Sequence, residues 1–243
     1  MTCGRAERLN LLLFSDRDRT EEGLLRITGP RLQHLLNVHG KTAGEEVRVG
    51  ELGGMIGQAR IVSIAGDAAL LEPTLDQSPP QKIPLILVLA LPRPKMLRRI
   101  LRTVAELGVP ELHLINSFRV EKSFWQTPAL EKGSVRDYLL QGLEQSRDTV
   151  LPAIHCHRRF KPFVEDTLPG LLQGRLALLA HPGDHSPCPR GIDVPALLAI
   201  GPEGGFIPYE VEKFRAGGCE PVTLGPRILR VENAVTALLG RLY

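Results

Sequence analysis

The sequence predicts a mixed α/β protein in two parts, a small β-barrel followed by a parallel sheet flanked by helices. Three observations carry this prediction. Residues 1–76 hold five short apolar or alternating runs and a single helical segment, the rhythm of a small barrel. A polar, proline-containing stretch, Asp76-Gln77-Ser78-Pro79-Pro80-Gln81-Lys82, then reads as a linker. Beyond it, apolar strand-like runs alternate with helical segments, the pattern of a parallel α/β sheet. The expected domains are therefore 1–76 and 77–243.

In the first part the strand candidates are 9–14, 23–27, 46–52, 56–64 and 69–73. Leu52-Gly53-Gly54 and Ala65-Gly66-Asp67 supply hairpin turns between them. Segment 30–38 repeats Leu32, Leu35 and Leu36 at helical spacing and opens on Pro30, where proline is tolerated. In the second part 83–91 is a continuous apolar run, and 111–115, 152–157, 175–180, 194–200 and 221–224 are further strands. Helices are expected over 95–108, within 128–145, and over 163–172, 208–216 and 233–242.

The helix at 95–108 is the clearest amphipathic element. Leu97, Ile100, Leu101 and Val104 form one face at i, i+3, i+4, i+7 spacing. Lys95, Arg98, Arg99 and Arg102 form the opposite face with no acidic residue among them, and Arg93 lies just upstream. Such a stripe either follows phosphates, in an interaction that weakens with salt, or is a solvated helix face.

Bulk properties exclude several classes. No apolar run reaches the roughly 18 residues of a membrane span. Arg5, Glu7 and Arg8 are followed by no long apolar region, so the start does not read as a signal peptide. Cys3, Cys156, Cys188 and Cys219 are widely spaced without a CxxC pair, so a reduced, cytoplasmic protein is expected. Residues 1–76 hold nine Lys/Arg against eleven Asp/Glu, and residues 77–243 hold 21 against 16. The second part is thus the basic one, which suits an anionic partner without demanding it.

Several motifs fail on inspection. His39-Gly40-Lys41-Thr42 ends like a phosphate-binding loop, but the required earlier glycine position holds Leu35. No G-x-G-x-x-G follows a strand, which argues against a dinucleotide enzyme. His155-Cys156-His157 and the set His181, His185, Cys188 could gather a metal, but neither has familiar zinc spacing, and no metal is expected.

Two glycine-proline turns near the C-terminus are the most informative feature. Ile200-Gly201-Pro202-Glu203-Gly204-Gly205-Phe206 is answered by Leu224-Gly225-Pro226-Arg227-Ile228-Leu229-Arg230-Val231-Glu232. Each follows a short apolar run and precedes an expected helix. Glycine lets a ligand approach the main chain, so the pair suggests a cleft floored by backbone, with Arg227, Arg230, Glu203 and Glu232 around it. Strand ends of open α/β sheets are where ligands bind.

These turns closely resemble the C-terminal signature of the RsmE family of SPOUT-class RNA methyltransferases. The resemblance extends along the chain. Ala105-Glu106-Leu107-Gly108-Val109 is similar to the family's helix end before its second strand. Ser117 and Arg119 fall in its serine-arginine loop, and Glu144-Gln145-Ser146 with Arg147 and Pro152 resembles its E-Q-S segment. Ala180-His181-Pro182 looks like its strand-end H-P.

The resemblance implies a PUA-like N-terminal barrel that grips RNA and a SPOUT domain tied in a deep trefoil knot. It implies a homodimer that uses S-adenosylmethionine to methylate N3 of a uridine in 16S rRNA of the small ribosomal subunit. The cofactor would lie against Ala180, His181, Pro182, Ile200, Gly201, Pro202, Gly204, Gly205, Leu224, Gly225, Arg227, Ile228 and Leu229. RNA would meet Arg93, Lys95, Arg98, Arg99, Arg102 and Arg119. Arg230 would stabilise developing charge on the base, with Glu203 and Glu232 as either proton acceptors or loop-holding groups.

Four departures stand out. Asn233 replaces a usual threonine as an expected helix cap, and Thr103 stands where lysine is common. Arg147 comes one place early, with Asp148 in the usual arginine position. Asn37-Val38-His39-Gly40 replaces a leucine-arginine sequence. Apart from the cap these touch expected RNA-facing places, which leaves a catalytically altered RNA-binding assembly factor as the alternative. A small-molecule α/β enzyme, indifferent to RNA, is the other.

Overall fold

The strands assemble into two sheets of opposite character in a computed structural model that describes residues 10–37 and 40–243. The first-strand expectation at Leu9, the helix end at Val38, and Cys3 and His39 lie outside the described residues. By contacts the chain divides into one unit of residues 1–81 and 140–151 and a second of residues 82–139 and 152–243.

The first unit holds β1 (Leu12–Phe14), β2 (Leu25–Thr28), α1 (Gly29–Asn37), β3 (Glu46–Glu51), β4 (Ile56–Ala65) and β5 (Ala68–Gln77). Its five-stranded sheet, ordered β1-β3-β4-β5-β2, is barrel-like and nearly closed. All pairs are antiparallel except β1 with β3. Alternation puts Phe14, Leu25, Ile27, Val49, Ile61 and Leu71 inside, where Leu32 and Leu35 of α1 close the core. The strand β5 runs through Asp76 to Gln77, so the expected linker begins inside the sheet. Ladder pairing uses the main chain and ignores the polarity that marked a linker; Gln77 pairs with Ile56.

Residues 140–151 group with this unit through named bonds. Thr149 Oγ1 donates to Gly54 O at 2.6 Å, and Gly53 N donates to Thr149 O at 2.8 Å. Asp148 is 3 % exposed, and its Oδ1 accepts from Val150 N at 3.0 Å. Asp148 therefore shapes a buried turn, whereas Arg147 beside it is exposed. Arg147 supports the same turn in a left-handed conformation at φ 59°.

In the second unit β6 (Leu85–Ala90), β7 (Glu111–Ile115), β8 (Ala153–His157), β9 (Leu176–Ala180), β10 (Ser186–Pro187), β11 (Ala196–Ile200) and β12 (Glu220–Thr223) form one sheet. The order is β10-β12-β9-β11-β6-β7-β8, and every pair is parallel. Every residue of β6 and β11 is buried, as central strands covered on both faces must be. The edge strand β8 is mostly exposed and correspondingly polar.

The helices are α2 (Pro94–Glu106), α3 (Lys132–Ser146), the short α4 (Phe160–Pro162) and α5 (Leu168–Leu171), α6 (Pro208–Ala216) and α7 (Val231–Leu242). A π-helical turn, Phe163–Thr167, joins α4 to α5, so the helix expected over 163–172 is a composite. Gly108 ends α2 at φ 68°: its N–H bonds Ala105 O and that of Val109 bonds Val104 O. The last helix starts at Val231, so Asn233 lies inside the first turn and is not the cap; Arg230 occupies that place without a capping side-chain bond. Val231, Val235, Leu238, Leu239 and Leu242 form its buried stripe, and the start two residues earlier than expected brings Val231 into that stripe.

Burial raises the Glu144 carboxyl from 4.5 to about 7, against the opposing pull of the Leu13 N–H and Arg31. A folded-state value above the unfolded one means that the native state loses stability as pH rises from 4.5 through about 7. Glu144→Gln is expected to remove that loss, so the variant gains on the wild type above pH 7 and matches it near pH 4. Denaturant midpoints of both proteins across that range test this.

Candidate functional site

The register of three neighbouring strands decides where the loops meet. Ile200 of β11 pairs with Ala180 of β9, which in turn pairs with Val222 of β12. The strands are parallel, so the segments that follow all emerge at one edge of the sheet. His181 N donates to Val222 O at 3.0 Å and ties two of these ends together. A cavity of about 660 Å³ lies between them.

Its walls are the two glycine turns and the loop after β9. Ala180, His181, Pro182, Ile200, Gly201, Pro202, Gly205, Leu224, Gly225, Arg227, Ile228 and Leu229 line it, and Gly204 does not. The backbone explains the glycines. Gly205, at φ 72°, donates to Pro202 O at 2.7 Å and closes the first turn. A Cβ on Gly201 would stand 3.1 Å from Phe206 N, and one on Gly204 would stand 2.8 Å from Arg119 Cδ. In the second turn Gly225, at φ 110°, donates to Thr223 Oγ1 at 3.2 Å.

Three clamps hold this frame. The Arg119 guanidinium donates to Gly204 O. Glu203 Oε1 accepts from Arg93 N at 3.1 Å, which fastens the first turn to the start of α2. Glu210, 2 % exposed, accepts from Phe118 N at 2.7 Å and, one turn back, from Ile207 N at 3.1 Å. Glu210 escapes sequence reading, although an acid two residues after Pro208 at a helix start is a capping signal.

The charged residues expected at the site are distributed unevenly. Glu203 lines the cavity, whereas Arg230 and Glu232 do not, although Leu229 and Val231 beside Arg230 do. Arg230 is exposed and its side chain has no hydrogen-bond or ion-pair partner among the described residues. Arg93, Lys95, Arg98, Arg99 and Arg119 are exposed, and Arg102 is half-buried with its guanidinium 5.0 Å from the Tyr138 ring. Leu97, Ile100, Leu101 and Val104 are buried, so the cationic stripe faces outward.

Further lining residues, among them Asp184, Thr223, Ala234 and Leu238, carry no motif and become visible only in three dimensions. His181 and His185 stand with ring centroids 5.7 Å apart. Burial, then the charge of His185, pushes the His181 imidazole below its ordinary value. Its Nδ1 is buried without a hydrogen-bond partner among the described residues, a polar atom left for a ligand in the cavity.

The other histidine group is larger than its sequence neighbourhood suggested. His155 and His157 share a face of β8, and pairing with β7 adds His113 and Glu111. Burial holds His113 and His157 below the ordinary imidazole value, and in His113 this outweighs the hydrogen bond to Glu111.

Comparison with known proteins gives consistent results. A family model described as an RNA methyltransferase domain matches residues 79–243. The ribosomal RNA small subunit methyltransferase E of Treponema pallidum is 32% identical over 94% of this chain and 88% of its own length. Its Synechocystis counterpart is 29% identical over 91% of this chain and 73% of that protein. The crystal structure of the Neisseria gonorrhoeae enzyme of that name, bound to S-adenosylmethionine, superposes with a TM-score of 0.74. It is 20% identical, with 94% of this chain and 95% of that chain covered, a likeness of fold.

Glu210→Ala leaves the Phe118 and Ile207 N–H groups without their acceptor. The expected loss of stability is about 1–3 kcal/mol, measured by denaturant unfolding, with Glu210→Gln retaining part of it.

Proposed function

The chain belongs to the ribosomal RNA small subunit methyltransferase E family, and from that premise we propose that it methylates N3 of a uridine in 16S rRNA with S-adenosylmethionine as donor. The observation that carries the reading is the cavity at the aligned strand ends, walled by two glycine turns of that family's signature. The protein acts in the cytoplasm as a homodimer, with a PUA-like barrel that grips RNA and a SPOUT domain tied in a deep trefoil knot. These last features rest on the resemblance.

The cavity suits the cofactor. Its volume of about 660 Å³ falls within the roughly 300–1,000 Å³ of small-molecule sites. A nucleoside needs donors and acceptors at its base edge, a role that suits the main chain of the lining loops around 201–205 and 224–229. The unpartnered His181 Nδ1 offers one more polar contact. When bound there, S-adenosylmethionine supplies an electrophilic methyl group.

The remaining work belongs to the protein. Uridine N3 carries a proton that must leave before or during attack, so developing negative charge needs a cation. Arg230, exposed and uncommitted beside Leu229 and Val231, stabilises that charge, with Arg227 in the cavity wall for phosphate or cofactor. Glu203 and Glu232 are the carboxylates at hand for the proton. Glu203 already accepts from Arg93 N, and so also holds its loop. The outward stripe Lys95, Arg98, Arg99 and Arg102, with Arg93 and Arg119, follows the RNA backbone.

Pure protein incubated with labelled S-adenosylmethionine and small subunits lacking the modification is expected to yield N3-methyluridine by nucleoside mass spectrometry. A different methylated nucleoside would overturn the position, and no cofactor binding would overturn the reading as a whole. In the same assay Arg230→Ala is expected to lower methyl transfer about 10²–10³-fold with cofactor affinity retained. Collapse of that affinity would remove Arg230 from the charge-stabilising role. Replacing both Arg98 and Arg99 by glutamine is expected to flatten the slope of log affinity against log salt by roughly 1.5–2, read from RNA titrations at several salt concentrations.

A further inference from the structure

The β7–β8 edge of the sheet carries a polar cluster that methyl transfer leaves unused. His113 pairs across the ladder with His155, and Ile115 with His157, while Glu111 precedes His113 by two residues. Alternation places all four polar side chains on one face. Glu111 Oε1 lies 2.8 Å from His113 Nε2 and 3.2 Å from His155 Nε2. These three atoms lie within 4.8 Å of one another. On its other side His113 Nδ1 is 2.9 Å from His157 Nε2. The rings of His155 and His157 stack on His113 at centroid distances of 4.6 and 5.1 Å.

This concentration of lone pairs needs positive charge between its members. Shared protons supply it through hydrogen bonds, and a divalent ion held by the same lone pairs supplies it equally. Zinc–nitrogen and zinc–oxygen bonds of about 2.0–2.2 Å put tetrahedral ligand atoms about 3.3 Å apart. The two contacts to Glu111, at 2.8 and 3.2 Å, are close to that spacing. The remaining adjustment falls to His155, whose side chain is 46% exposed.

We propose that Glu111, His113 and His155 bind a borderline divalent transition-metal ion of the zinc class, with the fourth position open to solvent. Two imidazoles and a carboxylate are a donor set for such ions, and not for calcium or magnesium. His157 is the positioning residue. In the bound state the His113 Nε2 lone pair is on the ion and its single ring proton sits on Nδ1 and is donated to His157 Nε2, with the proton of His157 on its own Nδ1, so the two rings change tautomer without net loss of a proton. Glu111 stands at the start of β7 and His113 at its middle, whereas the cavity opens at the ends of β9, β11 and β12. The ion therefore fastens the edge strand β8 to β7 and stays apart from the reacting groups.

Tag-free full-length protein, stripped with a chelator and titrated calorimetrically with zinc chloride, tests this. One equivalent is expected to bind with micromolar or tighter affinity. His155→Ala, at an exposed position that keeps the fold, is expected to weaken binding at least tenfold, and His157→Gln about 10–100-fold. Zinc should raise the melting midpoint of the wild type and not that of His155→Ala. Absence of binding at submillimolar zinc, or unchanged binding by His155→Ala, overturns the site. So does loss of binding in His185→Ala alone, which would put the ion in the cavity.

Discussion

Parallel pairing of β9, β11 and β12, in a register that sets Ala180, Ile200 and Val222 side by side, is the interaction on which the rest of the site depends. Three loops that leave the sheet at different points of the sequence start from one line because of it. A slip of one residue would turn every side chain of the slipped strand to the other face. The buried runs of β6 and β11 make such a slip costly, because both faces of these strands are covered. A rigid centre thus supports loops rich in glycine and proline, which by themselves have little to hold them.

What holds the loops is a small set of polar bonds. Glu203 ties the first glycine turn to the start of α2, Arg119 ties it through Gly204 O, and Glu210 joins α6 to the Phe118 N–H. Each bond satisfies a main-chain group that the irregular turns would otherwise leave unpaired. Residues with expected chemical roles and residues with structural roles are therefore interleaved. Glu203 stands in both groups, since it lines the cavity and also holds the loop.

The sheet grades from an apolar centre to polar edges. The central strands β6 and β11 are buried on both faces, whereas β8 exposes Ala153, His155 and Cys156. An exposed edge invites pairing with another chain, and polar or charged groups there oppose it. The histidine and glutamate cluster places such groups along β7 and β8 and gives the outermost pair of strands side-chain contacts of its own.

Much of this was legible in the chain. The apolar runs of β6 and β11, the amphipathic stripe of α2 and the change of rhythm after the barrel follow from periodicity, which records burial directly. The two glycine turns were legible because a left-handed φ at Gly205 and Gly225, and close packing at Gly201, leave few other residues possible. Other features were decided by the tertiary structure alone. Asp148 lies buried in a turn of the first unit, whereas Arg147 beside it is exposed. Helix α7 begins at Val231 because that side chain joins a buried stripe, so the capping preference of Asn233 was overruled. The partners of His155 were invisible for the same reason, since Glu111 and His113 lie more than forty residues away and meet it only across a ladder. Sequence by itself determined which segments are strands, helices and tight turns, because those depend on local sterics and on the period of burial. Which ends align, which carboxylates become clamps and which histidines meet was decided by strand order and register, which no local pattern encodes.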